Sequence, residues 1–571
     1  MEHSPRASIR FGDFELRGWP GDLLRQGITI PLQEKPLQML QMLLEEPGRL
    51  VSRDELRRRL WPTDIFVDFD HGINNAIKRL RVALGDTAEA PRYIETIPRR
   101  GYRFVAGVEQ EVSLSRGLAV LPLENLSGDP EQVFFVEGLT EALITTLAKI
   151  SKLRVISRTS SMLYKGVRKP LREIAQELEV DWIIEGSALR IGPRVRITAQ
   201  LIDVRDKETH LWAESYERGL SDVLALHADV AQAIAREVCV KLSPEEQANL
   251  ARAYIVDPEA YEVYLKGRYH WNRRTREGHA RAVQYFQQAI EKDPGYAAPY
   301  AGLADALTIL GLWGLLSPED SCGKAKGLAK RALEIDPNLP EAHTSFGWAI
   351  LHYDNAYLEA EKYLQRAVEL NPRLAIPHHW FGMALGMLGR YEEAFTELKR
   401  AIRLDPHWSL VRFGMAFVYW CGRHYELAVE EAREALELDP NSPQAHVWLG
   451  LSHLGLAEYD AAIDALQKAV ELSCRAPVAV ACLGEAYAAS GAIEAATRIT
   501  DELSGHAHVT AYFLSRIYVA LGDNDRAFDG LELAYREHAE WIGLLKIDPR
   551  FDELRDDARM QHLLQRMKFP R

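Results

Sequence analysis

Between residues 71 and 85 the chain carries Asn74, Asn75, Lys78, Arg79 and Arg81, and no carboxylate follows until Asp86. Side chains of these types do one kind of chemistry well: Arg and Lys donate to guanine acceptors or to phosphate oxygens, and Asn pairs with adenine. A solvated helix face normally mixes signs, because Glu–Lys pairs one turn apart support it. Three cations and two amides without an acid suit a groove of double-stranded DNA instead. Arg99 and Arg100 add two more cations further along.

These residues need elements to hold them. Ile73, Ile77, Leu80 and Leu84 recur at i, i+4, i+7 and i+11, which puts them within roughly 60° of one another on a helix and the polar set on the opposite arc. Asp68 or Asp70 is placed to cap that helix, and Gly85 to stop it. Upstream, Ser52-Arg53-Asp54-Glu55 is a capping box, opening a helix over 52–60 that ends at Leu60-Trp61-Pro62. Before it, Leu37, Leu40 and Leu44 stripe a first helix closed by Pro47-Gly48. Downstream, residues 92–97, the turn Pro98-Arg99-Arg100-Gly101 and residues 102–105 predict a β-hairpin with Arg99 and Arg100 at its tip. Three helices followed by a basic hairpin form a winged helix-turn-helix. Arg81 has a competing reading as a partner for an acid within the fold. Arg103 reads as structural or as a phosphate contact. Arg53, Arg57 and Arg58 read as a solvated face, with Arg53 also placed for a phosphate contact.

The stretch LVSRDELRRRLWP…INNAIKRLRVALGD…YIETIPRRGYRFVA resembles the effector domain of OmpR/PhoB-type regulators, in the variant of CadC-like and multidomain TPR proteins. The resemblance covers about residues 9–106. It implies a four-stranded N-terminal sheet over residues 9–32, and it implies that Lys78, Arg79 and Arg81 match the family's major-groove and phosphate contacts. Many relatives carry Arg-Gly-x-Gly-Tyr at the wing, and here Pro98 stands at the Arg position, with Arg99 and Arg100 after it.

The whole chain has 571 residues and a formal charge of −13, which alone argues against a nucleic-acid binder. The charge is split. Residues 1–106 carry 17 basic and 15 acidic side chains, so +2, while the remainder carries 52 and 67, so −15. Apolar residues at 47% exclude a wholly disordered chain. Five scattered cysteines (Cys239, Cys322, Cys421, Cys474, Cys482) with no C-x-x-C pair fit reduced thiols rather than a disulfide framework. The longest apolar run, Phe413 to Gly422, is ten residues, against about 20 for a membrane helix. With no signal pattern in the first 30 residues, the expectation is a soluble cytoplasmic protein without a membrane contact. Only some eight residues precede the winged domain, so no receiver domain and no phosphoryl-acceptor Asp is expected.

From about residue 257 onward helix follows helix. Pro294, Pro337, Pro372, Pro406 and Pro440 close Ala-rich segments at intervals of 43, 35, 34 and 34 residues, the period of tetratricopeptide (TPR) repeats. Gly382, Ala394 and Ala401 precede Pro406; Ala416, Ala428 and Ala435 precede Pro440; Gly450, Ala462 and Ala469 precede Cys474, where Pro is expected. Gly484 and Ala496 continue the pattern before it decays. Small residues sit where paired helices cross, and proline stops the second helix of each pair. The count is seven to eight repeats, with an insertion around LWGLLSPED and a terminal cap using Leu554, Met560, Leu563, Leu564 and Met567. Trp380, Tyr391 and Trp448 read as inter-helix packing.

Between these segments, residues 117–245 alternate strand and helix patterns, with a polar join at 107–116. AVLPLENLSGDPEQVFFVEGLTEALITTLAKI and VRITAQLIDVRDKETHLWAESYER resemble the TolB-like domain found fused to TPR arrays and sometimes to adenylate cyclase domains, which implies a sensory, ligand-binding or assembly module. The expected architecture is therefore multidomain α+β and α: a winged helix-turn-helix at 1–108, a TolB-like α/β domain at 117–245, and an all-α TPR solenoid at 257–571. No phosphate-loop or dinucleotide motif occurs. Asp129, Glu137 and Glu141 read as solvated surface, and the adjacent His378 and His379 do not have the spacing of a metal pair. No enzyme, cofactor or metal is expected. The expected partners are double-stranded DNA, a protein or peptide in the TPR groove, RNA polymerase, and a second copy of the chain as a dimer on DNA. The alternative is a TPR scaffold with weak or vestigial DNA binding.

Overall fold

The computed structural model describes residues 8–569 apart from 19–20, 26–27, 31, 33, 46–47, 61–68, 89–90, 99, 107–108, 111–116, 151–152, 193, 206, 220–221, 239–241, 244–246, 248–255 and 506. The chain divides into two compact units, residues 1–116 and 117–571.

In the first unit, β1 (Ser8–Phe11), β2 (Phe14–Gly18), β3 (Gly21–Arg25) and β4 (Ile28–Ile30) form an antiparallel meander. Three helices follow, α1 (Glu34–Glu45), α2 (Arg53–Leu60) and α3 (Phe69–Leu84). A second sheet has the order β5-β7-β6, from β5 (Leu50–Ser52), β6 (Ile94–Ile97) and β7 (Gly101–Phe104). The join expected at 107–116 is in part structural: β8 (Glu109–Gln110) pairs with β1, Ile9 opposite Gln110. The four-stranded sheet thus gains a fifth strand. Aromatic rings tie the two sheets together, Phe11 lying 5.1 Å from Phe104 and Phe14 5.5 Å from Tyr93 between centroids. Residues 107–108 and 111–116, the capping candidate Asp68, and Trp61-Pro62 lie outside the described residues.

The second unit begins with a sheet in which strand 117–120 lies between parallel neighbours 154–155 and 182–191, with strands 194–203 and 209–219 added antiparallel. Alternation sorts the central side chains to two faces. Leu118 and Val120 meet the cluster containing helices 133–147 and 223–237, and Ala119 and Leu121 meet Ile174 and Leu178 of helix 171–178. Eight antiparallel helix pairs follow, from 258–271 with 276–292 to 507–520 with 524–536. The eighth pair extends the array beyond the point where the sequence pattern fades. The insertion forms the segment 313–323 between helices 297–312 and 324–335.

The small residues stand where the spacing put them. Ala394, Ala401, Ala428, Ala435, Ala462 and Ala469 are fully buried, and a Cβ on Gly450 would stand 2.5 Å from Cγ of Leu466. Cys474 replaces proline because its backbone is left-handed, φ +52°, which a ring locked near −65° cannot adopt. The alternating-pattern segment and the helical array share one core: Tyr261 and Leu265 of helix 258–271 belong to the same cluster as Phe135 and Leu139.

The solenoid's inner face is occupied by its own C-terminal segment. Trp541 donates from Nε1 to the Leu312 carbonyl at 3.0 Å and packs against His352, Trp448 and Phe513. Arg423 pairs with Asp552, and helix 558–567 buries Met560, Leu563 and Met567 as a cap. Trp448 and Trp380 pack against other tryptophans, Trp420 and Trp348 respectively.

Candidate nucleic-acid interface

α3 buries Ile73, Ala76, Ile77, Leu80 and Leu84 against Leu40, Leu43, Leu44, Leu56 and Leu60, so the period read from the sequence is its packing face. The opposite arc divides in two. Residues 75, 78, 79 and 82 are spaced i, i+3, i+4 and i+7 and form one outward stripe. Asn75, Lys78 and Arg79 are exposed there, and Val82 is 76% exposed. Residues 74 and 81, seven apart, share a different line that faces the wing.

Arg81 is half-buried, and its Nη2 donates to the Ile94 carbonyl at 2.7 Å and to Thr96 Oγ1 at 2.9 Å. Its competing reading is answered in an altered form: the partners within the fold are a carbonyl and a hydroxyl of β6, not an acid. Asn74 Oδ1 accepts from Arg53 Nη2 at 2.8 Å and from the Tyr102 hydroxyl at 3.0 Å. Both lone pairs of that oxygen are thereby engaged, while Asn74, like Asn75, remains exposed. Arg53, read as part of a solvated face, also stands over the Tyr102 ring at 5.6 Å.

The wing is bound on two sides. β7 lies between β6 and β5, with Gly101 opposite both Ile97 and Ser52. A Cβ on Gly101 would sit 2.0 Å from the Val51 carbonyl oxygen, so the strand crossing admits only glycine there. At the tip Arg100 is exposed, its N–H donating to Ile97 at 3.0 Å and its carbonyl accepting from the Arg53 N–H at 3.1 Å. Arg99 lies outside the described residues. Arg103 bonds Glu95 across the hairpin, Nε to Oε2 at 2.9 Å, in keeping with its structural reading.

Two carboxylates do work that spacing did not reveal. Asp86 accepts four backbone N–H groups, from Thr87, Arg92, Tyr93 and Ile94, at 2.7–3.1 Å, and so fixes the passage from α3 into the wing. The capping box forms only by half. Ser52 Oγ accepts from the Glu55 N–H at 3.1 Å, but the Glu55 carboxylate is bonded by Arg49 rather than reaching back. The result is a helix of outward cations beside an anchored hairpin. A major groove about 12 Å wide admits such a helix.

In the second unit, the expectation of solvated carboxylates fails for Glu141 and Glu137. Glu141 is bonded by Arg268, with Nε at 2.9 Å, and by Asn272 at 2.8 Å, and it pairs with Arg158 at 3.4 Å. Burial alone would raise its carboxyl, but the fields of Arg268 and Arg158 and the bonds from Arg268 and Asn272 outweigh it and hold it below the usual range. Glu137 bonds Arg158 and Lys165, each at 2.7 Å. Of the two, Glu141 meets helix 258–271, through Arg268 and Asn272. His378 is bonded to Glu397 and to the Pro372 carbonyl. Among the described residues no group of three or more His, Cys, Asp or Glu has metal-holding geometry, and no helix is long and apolar enough to cross a membrane.

Comparison with known proteins agrees with this geometry. Residues 27–104 match the family "Transcriptional regulatory protein, C terminal", and residues 377–407 and 416–477 match tetratricopeptide repeats. The first segment is thus a domain of that regulator family and the second a TPR array. Over 353 residues the chain is 33% identical to a Rhizobium meliloti (strain 1021) protein named "Putative adenylate cyclase 3", covering 60% of this chain and 57% of the relative. It is 27% identical over 341 residues to the transcriptional regulator HilA of Salmonella typhi, covering 58% and 59%. It is 30% identical over 101 residues to the transcriptional activator CadC of Escherichia coli (strain K12), covering 18% and 19%. The chain spans less than three fifths of the length of these relatives.

Proposed function

We propose that this protein is a DNA-binding transcriptional regulator whose N-terminal winged helix reads promoter DNA. The observation that carries the reading is the outward stripe of Asn75, Lys78, Arg79 and Val82 on a helix locked to a cationic hairpin. In this reading Lys78 and Arg79 meet guanine or phosphate, Asn75 meets adenine, and the Val82 methyls meet a thymine methyl. Asn74 and Arg81 hold the wing against α3, and Arg99 and Arg100 reach the backbone beside the groove. A regulator of this kind works beside the chromosome, so we place it in the cytoplasm, where it acts by binding and not by catalysis.

Residues 117–245, the TolB-like domain in this reading, and the TPR array at 257–571 receive a signal or a protein partner. Because the inner face already holds Trp541 and its neighbours, a peptide partner docks on the remaining faces or displaces that segment. Assembly as a dimer on DNA and contact with RNA polymerase belong to the same proposal. The name of the R. meliloti relative supports no cyclase reading by itself, since the match spans only 57% of that relative. A selection of random duplexes on the full chain, followed by titration of salt, tests the proposal. An enriched motif whose affinity falls by about 0.9 log unit per phosphate contact per tenfold salt supports it. No enrichment and a flat, very weak response favour the scaffold.

A further inference from the structure

We propose that strand 209–219, at the edge of the sheet in the second unit, is a self-association surface on which a second copy of this chain adds its own strand 209–219. Such pairing rests on the reading of the chain as a dimer on DNA, and it names the surface that forms the dimer. Among the described residues this strand is paired on one side only, with strand 194–203. Its other side presents a row of backbone donors and acceptors, which is a template for a further strand.

Proteins that keep such an edge single protect it with a short strand, Lys, Pro, a bulge or an inward charge. Strand 209–219 (THLWAESYERG) is 11 residues long and holds neither Lys nor Pro. Its one bulge is at Leu211, because Leu201 stands opposite Trp212 and Ile202 opposite His210. The bulge lies near the start and leaves residues 212–219 in regular register with 194–201. Ala213, Glu214, Ser215 and Arg218 are exposed, and Trp212 and Tyr216 pack on the core that helix 223–237 shares. Side chains alternate between the faces of a strand, so Glu214 and Arg218 lie on the same face as those two rings. Charges there turn away most added strands and admit one whose charges match.

The matching strand is the same strand in a second copy. A two-fold axis perpendicular to the sheet makes the contact self-complementary, and it sets even-numbered residues against even and odd against odd. With the axis at Glu214, Glu217 or Arg218, like charges of the two copies meet on it. With the axis at Ser215, Glu214 meets Tyr216 and Arg218 meets Trp212, so no charges pair. With the axis at Tyr216, Glu214 of each copy stands opposite Arg218 of the other, and the two Tyr216 rings are neighbours. Opposite charges and aromatic pairs across strands stabilise a sheet, and like charges oppose it. In that register Glu217 meets Ser215, and its charge is matched within its own chain by Arg194 and Arg196. In the single chain Glu214 accepts from the Tyr216 hydroxyl, and Arg218 stands 3.8 Å from Asp229, both half-exposed. Exposed ion pairs are worth little, so turning Arg218 to the other copy costs little.

Sedimentation equilibrium of the full chain without DNA tests this. The expected result is a reversible monomer–dimer equilibrium at micromolar concentration. Glu214→Arg sets a cation against Arg218 of the other copy at both ends of the contact and should raise the dissociation constant tenfold or more. Adding Arg218→Glu restores opposite charges and should return the constant close to that of the unaltered protein. Glu426→Arg, an equal charge change at an exposed solenoid position, should leave it unchanged. A monomer at every concentration overturns the proposal. So does a dimer that ignores Glu214→Arg, that Glu426→Arg weakens as much, or that the double variant does not restore. The first arm uses the unaltered protein, so it stands even if a variant does not fold. Stoichiometry on the selected duplex judges the DNA-bound dimer separately: two copies on the duplex from a free monomer would sink the strand and keep the dimer on DNA.

Discussion

Arginine is used in opposite ways in the two units. On α3, Lys78 and Arg79 lie in solvent on a face that carries no acid from residue 71 to residue 85. Inside residues 117–571, Arg268 and Arg158 converge on Glu141, and Arg516 and Arg550 converge on Glu485 and Asp548. A cation kept in water costs little and is available to a polyanion. A cation taken out of water must bring its counter-charge. The outward stripe therefore points to a macromolecular partner, and the buried pairs point to architecture.

The largest expected effect breaks the architectural side. Arg268→Ala leaves Glu141 enclosed with one partner fewer, and we expect a loss of about 3 kcal/mol in urea unfolding, with Glu141→Gln partly restoring it. A cost below about 0.5 kcal/mol would place that pair with ordinary surface pairs. Next, Lys78→Ala and Arg79→Ala should each weaken binding to the selected duplex by about 1–3 kcal/mol where the residue reads a base, measured by anisotropy, with unfolding curves unchanged. Unaltered affinity in both removes the stripe from the interface.

Glu540 sharpens the comparison through pH. Burial pushes its carboxyl up to about 7 from 4.5, opposed by the bond from Ser321. The folded protein thus holds a proton that the unfolded chain has released, so the contribution of Glu540 to stability is full below about 4.5, falls as pH rises through 7, and levels off above it. Glu540→Gln keeps an acceptor for Ser321 and should flatten the curve over that window by about 3 kcal/mol in denaturation series at several pH values. The smallest effect is expected from Tyr102→Phe, about 1 kcal/mol, because Asn74 keeps its bond from Arg53; its readout is a modest loss of DNA affinity as the wing loosens.

Much of this was legible in one dimension because helices repeat. The apolar line of Ile73, Ile77, Leu80 and Leu84 named the buried face of α3, and the proline and alanine intervals named the TPR pairs. Other features lay beyond reach for physical reasons. β5 has three residues, too few to show alternation. The division of the polar arc into 75, 78, 79 and 82 against 74 and 81 depends on where the wing lands, which is tertiary. Val82 carried no polar signal at all. Glu141 was misread because a helix period shows which residues share a face, but not that an arginine 127 positions away will meet them. Glu55 had two partners open to it, and Arg49 took it.

The central claim is that the α3 stripe lies in DNA, and the salt dependence of full-chain binding to the selected duplex tests it most directly. The Lys78→Ala, Arg79→Ala double variant should bind more weakly and shallow the log–log slope, by about 0.9 for each of the two side chains that rests on a phosphate. A double variant with the affinity and slope of the unaltered protein would contradict the account.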